Sequence, residues 1–536
     1  MVIFKISKGP LHVVTPRFSE RHIMKSVGGW RWHHVWKKWW TNSATSAAAL
    51  VSATSGKIVD FDGPPEKAGT FDAGAFDLFD DAHESSLTTT DFIPPSPAGL
   101  TYLPFQRAGI EYALKKSHCL IGDEMGLGKT VQALGLVNCI AAKNVLILCP
   151  AALKMNWGEE SRKWLMHGQA VTVLGMDKTP EIQGPGVFIC NYEQIAKWQS
   201  ITHGRCWDLL VLDEAQYLGN RSSRRTMATL GDAFGNGAVP AKKIVALSGT
   251  PISNRTEELF PLLRRMLPHK FRFFREFEDR YGSGQNLGEL QMLLRDNCMV
   301  RRLKKQVLKE LPEKWVRDVV IDCATPQAIE ATMRYREAKK RYMDMMHSPS
   351  GKSIEEKEQS IRDSESAMRS ALSAALKATV SAKMQAVGDF VHDAIETARS
   401  EGAAKVIVFT MHIAMADYLE KRFSERCVSL TGEDTNPRRR RDAVRSFQED
   451  KQTELFIGNF KAAATGLTLT AANREIMAEL HWNPAIMAQA EDRAHRIGQT
   501  RGVVVDYLVC KDTTDEDILR TIKRKRKQAA KALNQD

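Results

Sequence analysis

The sequence predicts an α/β protein with two parallel sheets, each covered by helices, a helical region between them and a small accessory module in front. Three observations predict it. Short apolar runs that read as buried strands alternate with helical patterns between residues 119 and 247, and the alternation returns between residues 405 and 509. The first run, Cys119-Leu120-Ile121, opens into Gly122-Asp123-Glu124-Met125-Gly126-Leu127-Gly128-Lys129-Thr130, and a helical pattern follows at Val131, Leu134, Leu136 and Val137. Strands alternating with helices argue for parallel sheets, with ligand chemistry gathered at the carboxyl ends of the strands.

Length and composition set the bounds. A chain of 536 residues predicts several domains with ample core. The net charge of +12 favours a polyanionic partner, although a basic balance alone is often only a solubility feature. The nine cysteines are dispersed without a CxxC pair, which predicts a reducing, intracellular setting and no structural zinc. No apolar run is long enough to span a bilayer, and residues 1–10 lack a signal peptide's hydrophobic region, so neither secretion nor membrane embedding is expected.

Residues 1–51 read as a basic accessory module. Trp30, Trp32, Trp36, Trp39 and Trp40 are interleaved with Arg31, Lys37, Lys38 and two histidines, after a turn at Gly28-Gly29. Indole faces beside cations suit stacking on bases while the charges hold phosphate; equally, the indoles can be the core of a small domain. From 52 to 99 the composition turns to Gly, Pro, Ser, Ala and acid, which predicts a flexible tether.

The first α/β unit is expected over residues 100–268. Leu103-Pro104-Phe105-Gln106-Arg107 opens a helix ahead of the glycine loop, and strands are expected at 145–148, 171–174, 187–190, 209–212 and 244–247. In the loop, Gly126 and Gly128 let backbone N–H groups face phosphate oxygens, Lys129 reaches the β and γ phosphates, and Thr130 can ligate magnesium. Asp123 stands where the strict phosphate-loop pattern has glycine, and a plain glycine turn ending in a solvated lysine is the bland alternative. Asp213 and Glu214 follow the run Leu209-Leu210-Val211-Leu212. There Asp213 can hold a magnesium shell and Glu214 can polarise an attacking water, or the pair can merely cap a helix. Ser248-Gly249-Thr250-Pro251 places small polar groups at the end of another strand.

Residues 269–380 break the alternation and read as helical protrusions. Arg301-Arg302-Leu303-Lys304-Lys305 is either a solvated face, a contact to a nucleic-acid backbone, or a brace between two lobes. Thr325-Pro326 begins a helix that continues through Ile329, Met333, Tyr342 and Met346. A second α/β unit is expected over 381–515, with strands at 405–409, 428–430, 454–457, 476–480 and 503–509. It has no phosphate loop, but Arg493 and Arg496 lie three apart, as on one helical face, a pair suited to an incoming γ phosphate. Residues 516–536 form a helix, acidic at its start and basic at Lys523-Arg524-Lys525-Arg526-Lys527; that gradient needs no ligand, though the basic run suits phosphate contact or a localisation signal.

In order, Gln106, residues 126–130, 213–216, 248–251, Gly466-Leu467-Thr468 and 489–496 resemble the motifs of superfamily 2 helicase-like ATPases. Residues 123–130, 300–305 with 310–314, and 491–499 narrow the resemblance to the SWI/SNF-type branch. It implies two RecA-like lobes with ATP and magnesium between them, tracking along double-stranded DNA. By the same resemblance Gln106 reads adenine, Asp123, Gly466 and Gln489 belong to the nucleotide site, Glu214 is the base, and Arg493 and Arg496 complete it. The candidate nucleic-acid contacts are Arg301, Arg302, Lys304, Thr410, Thr468, Trp30 and Trp32. Gly28-Gly29-Trp30-Arg31-Trp32 with Lys38-Trp39 is similar to the HARP-type module of the annealing helicases, which recognises forked DNA. No stretch resembling a histone-reading module follows Leu519, so chromatin remodelling is not expected.

These readings predict a DNA-dependent ATPase that works as a monomer on duplex or forked DNA, remodelling forks, reannealing strands or displacing bound proteins. A strand-separating helicase on DNA or RNA is the competing enzyme. A nucleic-acid-binding scaffold with an inactive ATPase fold is the competing class.

Overall fold

The computed structural model describes residues 84–536 except 167, 176–183, 233–234, 253–254, 348–353, 403–404, 433–436, 461–466 and 534–536, and of residues 1–83 the backbone of five strands. The chain divides into two compact units, Met1–His83 and Glu84–Asp536.

The strands of the first unit are β1 (Val2–Ile6), β2 (His12–Val14), β3 (Arg31–His33), β4 (Lys38–Thr41) and β5 (Lys57–Phe61), in the sheet order β3-β4-β2-β1-β5. The register sets Trp32 opposite Trp39 and Arg31 opposite Trp40 in an antiparallel pair. Trp30 lies outside the described residues. β5 pairs parallel with β1, so residues 57–61 of the expected flexible tether belong instead to the sheet. Its β-branched Ile58-Val59 suits a strand. The far end of that tether is corrected too: Ser85 is buried and its carbonyl accepts the Arg301 N–H at 3.2 Å, while the Pro95 carbonyl accepts the Tyr102 hydroxyl at 3.0 Å.

In the second unit, one sheet contains β6 (Cys119–Ile121), β7 (Asn144–Cys149), β8 (Val171–Val173), β9 (Gly186–Asn191), β10 (Trp207–Asp213), β11 (Ala241–Leu247) and β12 (Met299–Val300). Their order is β12-β6-β11-β10-β7-β9-β8, parallel throughout. The other sheet contains β13 (Lys314–Ile321), β14 (Val406–Thr410), β15 (Cys427–Leu430), β16 (Leu455–Asn459), β17 (Arg474–Met477) and β18 (Val503–Cys510), ordered β13-β18-β17-β14-β16-β15 and also parallel.

The central strands of both sheets are buried on two faces, which is why they read as continuous apolar runs. Side chains alternate between faces along a strand. Thus Leu210 and Leu212 of β10 enter one core, and Leu209 and Val211 enter the other. Ile407 and Phe409 of β14 are divided in the same way from Val406 and Val408.

Helices α1 (Pro104–Lys115), α2 (Lys129–Cys139), α3 (Lys154–Trp164) and α4 (Leu287–Asn297) belong to the first lobe. Helices α5 (Pro326–His347) and α6 (Ile354–Ser400) form a hairpin between the lobes, and Thr325 Oγ1 accepts the Ala328 N–H at 3.3 Å to cap α5. α6 carries Val387, Val391 and Ile395 into the second core, so residue 381 falls inside a continuous helix rather than at a break. Helix α7 (Pro437–Glu449) follows β15, α8 (Pro484–Glu491) follows β17, and α9 (Thr514–Leu533) ends the fold. Among the described residues no helix is long and apolar enough to cross a membrane.

Candidate functional site

The strand-loop-helix turn forms where the glycines require it. Gly126 and Gly128 have φ of 83° and 73°, in the left-handed region that favours glycine. A Cβ at Gly128 would stand 2.5 Å from Gln106 Nε2. Gln106 is buried, donates to the Leu127 carbonyl at 3.3 Å and accepts the Leu103 N–H at 3.0 Å, tying the start of α1 to the loop. Lys129 Nζ donates to the carbonyls of Asp123 at 2.9 Å and Glu124 at 3.3 Å. Burial lowers its pKa, opposed by Glu214, Asp123 and Asp213. Thr130 follows, part-exposed, in the first turn of α2.

The Asp123 carboxylate faces protein, not the loop's interior. It accepts Arg302 Nε and the Arg302 backbone N–H, each at 2.9 Å, and Gln132 Nε2 at 2.9 Å. Both members of the Arg302–Asp123 pair are fully buried. Asp123 as a cofactor contact is therefore corrected: it anchors the loop to the edge of the sheet. Arg301, Arg302 and Lys304 as nucleic-acid contacts are corrected on the same ground, being 3%, 0% and 4% exposed, which also excludes a solvated face. Thr410 is buried as well.

At the end of β10, Asp213 Oδ2 accepts the Trp157 indole N–H at 2.7 Å and Oδ1 accepts the Glu214 N–H at 3.0 Å. The Tyr192 hydroxyl donates to the Asp213 carbonyl at 2.7 Å. Burial, with Glu214 beside it, pushes the Asp213 carboxyl up to about 7, the Trp157 hydrogen bond and Lys129 working the other way. Glu214 is held at φ 50°, an uncommon conformation for a residue with a side chain, and Gln216 Nε2 donates to its Oε2 at 2.5 Å. Ser248 donates to Gln216 Oε1 at 2.6 Å, joining the Ser248–Pro251 turn to the acidic pair. Trp157 and Tyr192 escaped sequence reasoning, since neither sits in a motif and only folding brings them to Asp213.

The second lobe contributes from α8 and the turns after it. Gln489 Nε2 donates to Glu214 Oε2 at 3.2 Å, across from one lobe to the other. Arg493 and Arg496 do not share a helical face: α8 ends at Glu491, and both arginines lie in turns. They converge nonetheless. Arg493 Nη1 and Arg496 Nη1 donate to the Leu467 carbonyl at 3.1 and 2.9 Å, and Arg496 Nη1 also donates to Thr468 Oγ1 at 3.0 Å. Burial, then Arg496, lowers the Arg493 pKa. Arg496 Nε is buried with no partner among the described residues, and a Cβ on Gly126 would lie 3.2 Å from Arg496 Cβ. Gly466 lies outside the described residues.

Cationic groups from two lobes thus meet at one loop: Lys129 at its end and Arg496 against Gly126, with the adjacent carboxylates Asp213 and Glu214 close by. The fold and site define a two-lobed, helicase-like nucleotide-binding core. The chain belongs to the SNF2-related family, whose domain matches residues 32–374, and the helicase conserved C-terminal domain matches residues 382–498. It is 30% identical over 480 residues to the DNA annealing helicase and endonuclease ZRANB3 of Bos taurus, covering 84% of this chain and 42% of that protein. It is 30% identical over 463 residues to the SWI/SNF-related matrix-associated actin-dependent regulator of chromatin subfamily A-like protein 1 of Xenopus tropicalis, covering 82% and 45%. The Caenorhabditis elegans homolog of the latter is 32% identical over 442 residues, covering 79% and 60%. The chain therefore spans about half the length of the curated relatives it matches. The solved Sulfolobus solfataricus SWI2/SNF2 ATPase core in complex with dsDNA aligns with 83% of this chain and 96% of that one, at 24% identity and a TM-score of 0.39.

Proposed function

We propose that this chain is a DNA-dependent ATPase that moves along double-stranded DNA and remodels forks, reanneals strands or displaces bound proteins. One observation carries the reading: Glu214 of the first lobe and Gln489 of the second meet at 3.2 Å beside Lys129 and the arginine turn, so hydrolysis and lobe movement share one set of side chains. The names of the relatives, annealing helicases among them, support the substrate and the outcome.

The residues fit magnesium-bound ATP. Thr130 and Asp213 would hold the metal, which supplies positive charge to the phosphate oxygens. Lys129 neutralises the β and γ phosphates, Glu214 orients and deprotonates the attacking water, and Arg493 and Arg496 meet the charge that grows in the transition state. Gln106 stands beside the loop where the base of the nucleotide would lie. Closing and reopening of the lobes then moves one lobe at a time along the DNA backbone.

The test is displacement of a third strand from a triplex. ATP should drive release of the third strand while the underlying duplex stays paired. Hydrolysis without release, or release only with separation of the duplex, would contradict duplex tracking.

A further inference from the structure

Residues 301–314 lead from the edge of the first sheet to the edge of the second and touch both halves of the site on the way. On the first side, the Glu124 N–H donates to the Arg302 carbonyl at 2.9 Å, and the Lys304 N–H donates to Glu124 Oε2 at 2.6 Å. On the second, Lys304 Nζ lies 2.9 Å from Asp492 Oδ1 and donates to the His495 carbonyl at 2.6 Å. His495 Nε2 is 2.8 Å from the Pro312 carbonyl. The Lys304 and Asp492 side chains are 4% and 5% exposed. Asp492 and His495 immediately precede Arg493 and Arg496, and a Cβ on Gly126 would lie 3.5 Å from Lys304 Cε.

We propose that Lys304 is a positioning residue that latches the arginine turn of the second lobe to the phosphate loop of the first, setting Arg493 and Arg496 for hydrolysis. Its backbone is fixed on Glu124 and its ammonium on Asp492 and the His495 carbonyl. The inference rests on the proposed ATPase function.

The latch is reversible because Asp492 has a second cation. Lys314, on β13 of the second sheet, lies 2.9 Å from Asp492 Oδ1 and 3.4 Å from Glu491 Oε2. When the lobes part, Asp492 keeps Lys314 and Lys304 gains water, so neither charge is left buried alone. When they close, a desolvated pair with a short, directional carbonyl bond forms in one geometry only. Although burial opposes it, Lys304 and Lys314 hold the Asp492 carboxyl well below the usual carboxylate range.

The experiment compares the full chain with Lys304→Met, Lys304→Arg, Asp492→Asn and the Lys304→Met/Asp492→Asn double variant. Steady-state ATP hydrolysis is read on saturating duplex DNA, and binding is read by titration with a fluorescent ADP. Lys304→Met should lower kcat on the order of tenfold while ADP affinity stays within about twofold, and Lys304→Arg should recover most of the loss. Asp492→Asn approaches the same contact from the other lobe and keeps the test open should Lys304→Met fold poorly; in the double variant the two losses should not multiply. A kcat kept within about twofold in Lys304→Met, ADP affinity falling in parallel with kcat, or multiplying losses would overturn the latch. A parent chain without duplex-stimulated hydrolysis would instead refute the function on which the latch rests.

Discussion

Glu214 is held by amides from both lobes: Gln489 donates to its Oε2 at 3.2 Å and Gln216 donates to the same oxygen at 2.5 Å. Both amides sit on Oε2, which orients the carboxylate and leaves Oε1 to accept from a water. Because one of the two donors comes from the other lobe, lobe movement would change the hydrogen bonding of this carboxylate.

Glu214→Gln keeps the shape and both amide neighbours while removing the proposed base. Hydrolysis should fall on the order of a hundredfold or more, with nucleotide affinity preserved. Steady-state hydrolysis beside a fluorescent-nucleotide titration checks this; parent-like turnover would remove Glu214 from the mechanism.

Arg302→Met should destabilise the chain strongly, because it leaves Asp123 charged and wholly buried without its partner. A loss of about 3–5 kcal/mol is expected in urea unfolding. Pairing it with Asp123→Leu should give a smaller loss, since no charge then stays buried. Were Arg302 a DNA contact instead, Arg302→Met would leave unfolding unchanged and flatten the salt dependence of DNA binding.

His412 supplies a pH-dependent contribution to stability. Its Nδ1 is 2.5 Å from Glu479 Oε1, and Glu479 Oε2 also accepts the backbone N–H groups of Met411 and His412 at 2.9 and 3.0 Å. The hydrogen bond to Glu479, opposed by burial, raises the His412 pKa above its ordinary 6.5. A group whose folded pKa is raised stabilises fully below the unfolded value and loses that contribution as pH rises through the folded value. The melting temperature of the parent should therefore drop more between about pH 6 and about pH 8.5 than that of His412→Asn. Equal pH slopes would show that the pair contributes nothing.

Removal of residues 1–83 should leave duplex-stimulated hydrolysis intact and weaken binding to forked DNA. The cut belongs at 83 because Ser85 and Leu87 already bond to Arg301 and Arg302 of the second unit, and a deletion reaching residue 90 would strip those contacts. Fork affinity unchanged in the shorter chain would set aside a fork-binding role for the tryptophan-rich module.

Much of the fold was legible because its signals are local. Runs such as Leu209-Leu210-Val211-Leu212 are apolar at every position since both faces of the sheet are covered, and the glycines of the phosphate loop mark a conformation that only glycine takes easily. β12 and β13 were not legible. β12 is two residues long, and β13 is an edge strand whose Trp315, Val316 and Val320 face outward, so neither presents a buried run. The burial of Arg301-Arg302-Leu303-Lys304 was hidden for another reason: its partners stand 179 residues away at Asp123 and 188 away at Asp492, and a cationic run looks alike on a surface or in a core. Three-residue spacing suggested a helical face for Arg493 and Arg496, yet the chain brings them together by turning, with Leu467 as their shared acceptor.

The most direct measurement is steady-state ATP hydrolysis with no nucleic acid, single-stranded DNA, blunt duplex, forked duplex and structured RNA at one fixed salt concentration, since phosphate contacts make affinity salt-dependent. Duplex and fork should stimulate hydrolysis strongly over single strands and RNA. Hydrolysis stimulated best by single strands or RNA would contradict duplex tracking and favour a strand-separating helicase, and none under any condition would leave an inactive nucleic-acid-binding scaffold.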